Sequence, residues 1–436
     1  MFYGNIILNT ENQRNQKLFL PYSGNFGGRK RNKEKGFLEK VEFKTKISIK
    51  SIVLFFNFKN IVYKALNNGE VEYVGNNINK SQKINFKEVE TSLLENRVSR
   101  VKNEKMFLHI ANIDNTIFQA TVEYFVKLGV KWTNLPLTTL MISSPGEVYA
   151  GQKLDYTTDT LPIELPNWFG NDRRIFLSES SQFYLELQLL IKGLDQVFSI
   201  YNSFRKEKSD ATHLSEFQHI EYEGKVDSEG NIEVFMGLFE NIFNFLVKNN
   251  REDLLFFLSE EELKNKIDLV NKGSTRIGFR EALNLLYKET GDEKYKDFSL
   301  KNFGTWEEVK LTEILKSNVI VEKFPMLQIP FYHAIAKEEI DGVPVAKNAD
   351  FILYGFRETI GAGERIKDKN VLLKKAEIFN LPENDYLPYL QTRDFGDYEV
   401  TSGFGMGWQR LTQWITNQPY IYEATVFPRT HLVPNP

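Results

Sequence analysis

The sequence predicts an α+β fold, an antiparallel sheet with flanking helices, preceded by a small β-rich domain. Runs of near-alternating polarity recur around 196–223 and again from 345 onward, the period of strands with one buried face. Among them stand segments of helical period, such as "IEVFMGLFENIFNFLVKNN" and "GFREALNLLYKETG". The third observation is charge. Residues 1–105 hold 20 Lys/Arg against 10 Asp/Glu, a balance of +10, whereas the rest holds 35 against 48, a balance of −13. A basic leading domain on an acidic body suggests a polyanionic partner for the front, although surface lysines in a lysine-rich chain give the same count.

At 436 residues the chain exceeds one ordinary core, so two or three domains are expected. The absence of cysteine removes disulfides and thiolate metal sites, and five scattered histidines argue against zinc. The first residues lack a basic segment followed by an apolar core, and no apolar stretch reaches the length of a membrane span. A cytoplasmic protein with no membrane partner is the expectation.

Taken in order, "KVEFKTKISIKSIVLFFNFKNIVYKAL" is rich in Val, Ile and Phe and alternates, which predicts two or three strands. The basic loop "RKRNKEK" precedes it and the turn-rich "NNGEVEYVGNN" follows, so residues 1–100 read as a small, mostly β domain. Residues 106–129 place Phe107, Ile110, Ile117, Val122, Phe125 and Val126 at roughly helical spacing, with Gly129 as C-cap. "VKWTNLPLTTLMISSPG" predicts a strand ending in a loop. "SQFYLELQLLIKGLDQVFSIYNSF" predicts a helix closed by Gly193 and then a strand. That strand enters "SFRKEKSDATHLSEFQHIEYE", a hairpin whose first arm presents Arg205 and Glu207 on one side. Near the end, "ADFILYGFRETIGAGERI" alternates, and in "GFGMGWQRL" a glycine-rich strand leads into a helix.

Three of these segments suggest one chemistry. The hairpin offers Arg205, Glu207 and His213, and the second segment offers the carboxylates of Asp350 and Glu358 and then Arg365. The third has glycines at 403, 405 and 407 followed by Arg410. Alternate glycines clear one strand face, so a flat ligand can lie on the backbone. Arginine forks suit phosphate, and paired carboxylates suit a magnesium ion that also bridges phosphates. The combination describes a nucleoside-triphosphate site on an antiparallel sheet. No GxxxxGK[ST] is present and the glycine run enters no dinucleotide-binding pattern. Each piece alone also has a structural explanation, as a surface ion pair, a solvated strand end or a packing device.

The order of the pieces resembles the class II aminoacyl-tRNA synthetases of the aspartate, asparagine and lysine branch, and asparaginyl-tRNA synthetases in particular. "FRKE" with "THLSEF" is similar to their motif 2, "GFGMGWQRL" to motif 3, and "VKWTNLPLTTLMISS", with Pro136, to the dimer-forming motif 1. "SESSQFYLE", "TRIGFREAL", "IPFYHAIA" and "VFPRT" extend the similarity over about 105–436, the whole catalytic domain. The resemblance implies that residues 105–436 activate asparagine, or aspartate, with ATP and Mg2+. The product is an aminoacyl adenylate, pyrophosphate leaves, and the acyl group passes to tRNA. It implies a homodimer, and it implies that residues 1–100 bind tRNA as an OB-like barrel.

Carried over by position, Arg205 would hold the α-phosphate, Glu207 the adenine amino side and Phe217 the base. His213 would reach the outer phosphates and Arg410 would clamp the triphosphate. Asp350 and Glu358 would bind magnesium. Gln182 and Arg365 would hold the amino acid, and Glu147 would receive its α-amino group. The attacking carboxylate is already ionised, so positioning and charge neutralisation carry the rate and no general base is required. Aspartate enzymes of the branch carry a lysine three residues after the glutamine. Here that position is Leu185, and the eight-residue interval from Asp350 to Glu358 is also asparagine-like.

The chain departs from the pattern at four points. Thr212 stands where an arginine usually precedes the motif 2 histidine, and Gln409 where an acid precedes the motif 3 arginine. "EVTSGFG" lacks the Pro-His found before the motif 3 glycines, and residues 1–100 lack the usual barrel pattern. These differences leave open a paralogue that passes the activated acyl group to ammonia or another amine, and a non-enzymatic tRNA-binding relative.

Overall fold

The computed structural model describes residues 61–65, 70–75, 83–145, 148–149, 161–167, 173–206, 210–298 and 303–430, with side chains from Glu90 onward. The chain divides into two compact units, residues 1–59 and 60–436. The first sixty residues of the expected β-rich domain, and therefore its barrel, lie outside the described residues, as do Glu147 and Glu207.

The second unit begins with an antiparallel sheet of β1 (Ile61–Ala65), β2 (Glu70–Gly75) and β3 (Lys83–Asn85). The chain then turns helical in α1 (Phe86–Leu94) and α2 (Arg97–Asn103), at the end of the residues 1–100 that read as a mostly β domain. Arg97 of α2 is buried, and its guanidinium donates to Glu423 Oε1 at 2.6 Å and to the carbonyls of Tyr422 and Thr425. That grip ties the helix to the terminal "VFPRT" segment. A basic side chain thus serves as a tether, which polarity alone does not reveal.

Helix α3 (Met106–Lys127) runs where the apolar spacing places it and ends just before Gly129, whose φ of +76° needs no Cβ. There follow β4 (Lys131–Trp132), β5 (Thr138–Thr139), β6 (Ile163–Glu164), β7 (Phe176–Leu177) and α4 (Gln182–Gln188). Helix α4 stops before the expected cap: Leu189 ends it, and Gly193, at φ +90°, turns the chain into the next strand.

The main hairpin is β8 (Gln196–Phe204) with β9 (Glu216–Gly224). Next come α5 (Ser228–Asn249), α6 (Arg251–Phe257), α7 (Glu260–Lys272), β10 (Ser274–Gly278), α8 (Phe279–Thr290), α9 (Thr305–Leu315) and β11 (Asn318–Glu322). The chain closes with β12 (Ile335–Ile340), β13 (Val343–Ala346), β14 (Asn348–Ile352), β15 (Glu358–Glu364), α10 (Lys369–Ile378), α11 (Glu383–Leu390), β16 (Ser402–Gly407) and α12 (Trp408–Thr416).

Eight strands form one sheet in the order β10-β11-β14-β15-β16-β9-β8-β4. Its interior pairs are antiparallel, and only the two outermost pairs, β10 with β11 and β4 with β8, are parallel. The strand period sorts its side chains onto two unlike faces. One row across the sheet reads Phe198, Tyr222, Phe404, Ala362 and Ala349, and the next reads Ile200, Ile220, Met406, Ile360 and Phe351. These rows join Ile117 and Phe125 of α3, Phe235 and Phe239 of α5 and Trp414 of α12 in the largest apolar core. Each fully buried side chain of this size contributes roughly 1.5–3 kcal/mol. The intervening rows carry the polar residues. Among the described residues no helix is long and apolar enough to cross a membrane.

Candidate functional site

On the other face, one row reads Ser199, Glu221, Gly405, Gly361 and Asp350, and its neighbour reads Val197, Glu223, Gly403, Gly363 and Asn348. The four central positions are all glycine. A floor of bare backbone therefore lies across β15 and β16, walled by carboxylates on both sides. The sequence had offered the β16 glycines as such a floor, and β15 doubles its width.

At one end of the floor stands Arg365, only 1% exposed. Its Nε lies 2.9 Å from Glu223 Oε1 and its Nη2 lies 2.6 Å from Glu223 Oε2, while Nη2 also donates to Gln182 Oε1 at 2.7 Å. Its Nη1 is buried with no hydrogen-bond partner among the described residues. Gln182 opens α4, so the helix start sets its amide beside the sheet. A Cβ on Gly403 would collide with the Glu223 carboxylate and the Tyr222 carbonyl, and one on Gly363 with the His333 ring. Burial pushes the Glu223 carboxyl upward, and the Arg365 guanidinium draws it back. The arrangement presents a cationic donor beside an anionic acceptor, the complement of a carboxamide. Leu185 lies in an apolar cluster with Leu135, Leu189, Val197 and Tyr201, so no cation occupies its position.

Glu221 is anchored to the loop before α4. It accepts from Ser180 Oγ at 2.5 Å and from the Ser181 amide at 2.7 Å, and the Ser181 hydroxyl also donates to it. His219, two residues earlier on the same face, pairs through Nδ1 with Ser203 Oγ at 2.8 Å. Burial, with the charges of Arg205 and Arg410, holds its pKa well below the ordinary histidine value. The imidazole is therefore neutral near pH 7.

The hairpin tip forms the third wall. Arg205 follows β8 directly, with its amide donating to the Ser215 carbonyl at 3.0 Å and its guanidinium 5.3 Å from the centre of the Phe217 ring. The Phe217 ring meets His219 edge-on at 4.8 Å. His213 Nδ1 lies 2.7 Å from Asp210 Oδ2. Burial acts to raise the Asp210 carboxyl, but His213 and Arg357 outweigh it and hold the group below the usual carboxylate range. Arg410, in the first turn of α12, donates to the Thr212 carbonyl at 3.4 Å and to the Glu358 carbonyl at 2.9 Å.

Asp350 and Glu358 meet at the far side. Asp350 pairs with Gly361, and a Cβ on Gly361 would lie 2.8 Å from Glu358 Oε1, so the Glu358 carboxylate folds over the same glycine. Burial, then the charges of Glu358 and Glu308, push the Asp350 carboxyl well above its ordinary value. Like charges forced together in this way suit a divalent cation. Among the described residues no group of three or more ligating side chains converges on one point. A magnesium ion completed by phosphate oxygens and water needs only one or two carboxylates.

The structure thus gathers Arg205, His213, Phe217, Gln182, Asp350, Glu358, Arg365 and Arg410 around one glycine floor. Sequence reasoning missed Glu221, Glu223 and His219, although the alternation of Phe217, His219, Glu221 and Glu223 in β9 carried the signal. It also missed Glu308 and Arg357. Glu308 lies on α9, distant in sequence, and nothing in its spacing announces the 3.0 Å bond that it accepts from the Glu358 amide.

A mainly antiparallel sheet with this glycine floor, flanked by an arginine hairpin and an arginine-bearing helix, defines the class of ATP-dependent synthetases that the motif order suggested. Residues 89–431 match the family of tRNA synthetases class II (D, K and N), and the chain belongs to that family of ligases. It is 29% identical over 369 residues to an asparagine–tRNA ligase of Lactobacillus gasseri, covering 83% of this chain and 77% of that one. It is 28% identical over 344 residues to an asparagine–tRNA ligase of Thermoplasma acidophilum, covering 78% and 73%. Among solved structures, the fold is similar to asparaginyl-tRNA synthetase from Pyrococcus horikoshii complexed with asparaginyl-adenylate. The TM-score is 0.68 at 21% identity, covering 86% of this chain and 95% of that one.

Proposed function

We propose that the protein activates asparagine with ATP and transfers it to tRNA. The observation that carries the choice of amino acid is the buried Glu223–Arg365 pair at the end of the floor. Arg365 Nη1 would donate to the side-chain carbonyl oxygen of asparagine, and Glu223 would accept from its amide nitrogen. Aspartate would set a second carboxylate against Glu223 where Leu185 provides no compensating cation. The names of the relatives support the same reading.

In the mechanism, Gln182 and Arg365 hold the amino acid, and its carboxylate attacks the α-phosphorus along the glycine floor. Arg205 steadies the α-phosphate, with Phe217 beneath the adenine, while His213 and Arg410 bind the outer phosphates. Asp350 and Glu358 would hold Mg2+, which would supply positive charge to offset that of the pyrophosphate. Glu207 and Glu147 keep the adenine and α-amino roles that the resemblance gives them. None of these residues needs to move a proton, which agrees with a neutral His219.

The protein acts as a homodimer. The exposed side chains of Phe118, Val126 and Trp132 border a depression of about 580 Å3 that Val122, Val130 and Ile200 also line. This apolar surface lies at the β4 edge of the sheet, where the motif 1 resemblance falls. Residues 1–100 supply tRNA affinity through their positive balance.

ATP–pyrophosphate exchange with purified protein tests the activation step. Asparagine is expected to drive exchange at least about a hundredfold more efficiently than aspartate, because a buried polar site left mispaired rejects its analogue strongly. Equal exchange with both, or exchange with aspartate alone, would sink the reading.

A further inference from the structure

Thr212 leaves the hairpin without the arginine that motif 2 usually carries, yet the structure sets two guanidinium groups on this one residue. Arg410 donates to its carbonyl, and Arg357 Nη1 donates to its Oγ1 at 2.6 Å. Arg357 lies in the turn between β14 and β15 and immediately precedes Glu358, whose carbonyl is the other acceptor of Arg410. The two arginines therefore converge on Thr212 from two different elements. Arg357 is 11% exposed, and its Nε lies 3.7 Å from Glu308 Oε2. Its charge reaches across the site: with His213 it holds the Asp210 carboxyl down, and it partly offsets the burial that raises the Glu308 carboxyl.

The position of this cluster follows from the floor. The amino-acid end is marked by Gly363 and Gly403, under His333 and Glu223. The opposite end is Gly407, beside the Arg410 side chain, with the Asp350 and Glu358 carboxylates along the β14 side. A triphosphate whose α-phosphate lies at Arg205 must send its outer phosphates between the hairpin tip and the carboxylate pair. Arg357 spans that gap from the carboxylate side to Thr212. The hydroxyl that it now contacts is a neutral acceptor, and a phosphate oxygen is a stronger one for a guanidinium.

We propose that Arg357 binds the outer phosphates of ATP, supplying from the β14–β15 turn the guanidinium that the hairpin lacks at Thr212. The inference rests on the ATP-dependent reading above and adds a residue to it. On binding, Arg357 exchanges the Thr212 hydroxyl for a β- or γ-phosphate oxygen, while Arg410 holds the other side of the chain. Arg357 thereby contributes to ATP and pyrophosphate affinity and leaves recognition of the aminoacyl-AMP moiety to other groups.

The test compares two ligands by calorimetry with Arg357→Ala, Arg357→Lys and Arg205→Ala. One is Mg·ATP; the other is asparaginyl-sulfamoyl adenosine, which mimics the adenylate and carries no outer phosphate. Arg357→Ala is expected to weaken ATP about ten- to a hundredfold and to leave the adenylate mimic within about twofold. Arg357→Lys should recover part of the ATP affinity. Equal losses for both ligands would make Arg357 a strut of the hairpin, and unchanged ATP affinity would remove it from the site; either result overturns the proposal. Arg205→Ala should weaken both ligands. If it weakens neither, the nucleotide site itself is misplaced and the assignment of Arg357 falls with it.

Discussion

Glu223 and Arg365 form a pair in which each side chain is essentially inaccessible to water. Breaking such a pair leaves an uncompensated buried charge and costs about 3–5 kcal/mol, so Arg365→Ala weakens the fold as well as the amino-acid site. A specificity ratio escapes this confusion, because loss of folded protein scales both substrates alike. Glu223→Gln is expected to lower the asparagine-to-aspartate ratio of kcat/KM about ten- to a hundredfold in pyrophosphate exchange. An unchanged ratio would remove Glu223 from side-chain recognition. His219 carries a pH signature. Its folded pKa lies well below the ordinary value near 6.5, so the unfolded chain takes up the proton first as pH falls. Its contribution to stability is present above about pH 6.5 and is lost below it, by up to about 1.4 kcal/mol per pH unit. Urea titrations of the wild type and His219→Gln between pH 5 and 7.5 should show their stability difference changing with that slope; a pH-independent difference would contradict it. Arg205, Arg365 and Arg410 were legible as residues, whereas Arg357 and the partners Glu223 and Glu308 were not, because the fold alone brings them to the site.

At the scale of elements, β9, β15 and β16 show how the sequence writes a site. In each, one parity carries core residues such as Tyr222, Ala362 and Phe404, and the other carries Glu223, Gly363 and Gly403. Alternation therefore revealed both strand identity and ligand face, and it also held Glu221 and Glu223 for a reader who continued past His213. Helices α3, α5 and α8 were equally plain, since long apolar periods survive any tertiary context. Helices α1 and α2 were not. Their nine- and seven-residue lengths give little period, and Arg97 is held by partners more than three hundred residues away. The floor makes a sharp prediction: Gly403→Ala places a methyl group against the Glu223 carboxylate and the Tyr222 carbonyl. Pyrophosphate exchange should fall at least about tenfold, with overpacking costing about 1–3 kcal/mol of stability in a denaturant titration. Wild-type exchange in that variant would mean that the floor is not the ligand surface.

For the whole molecule, the sheet separates its tasks, with apolar rows on α3 and α5, a polar face for the ligand and an apolar margin at β4. Phe118 and Trp132 are 50% and 61% exposed, a large apolar outlay unless a second subunit covers them. Trp132→Asp is expected to convert a dimer to a monomer in sedimentation, with circular dichroism unchanged; a wild-type monomer would contradict the interface. The positive balance of residues 1–105 predicts that tRNA binding weakens steeply with salt. The motif order made the catalytic half readable from sequence, whereas the acyl acceptor is written in no single residue. The decisive measurement is therefore transfer: protein, ATP, Mg2+, labelled asparagine and bulk tRNA in one tube, following AMP and acid-precipitable label together. The account predicts label on tRNA with asparagine and none with aspartate. AMP formed without charged tRNA, or with ammonia as the acceptor for activated aspartate, would contradict it.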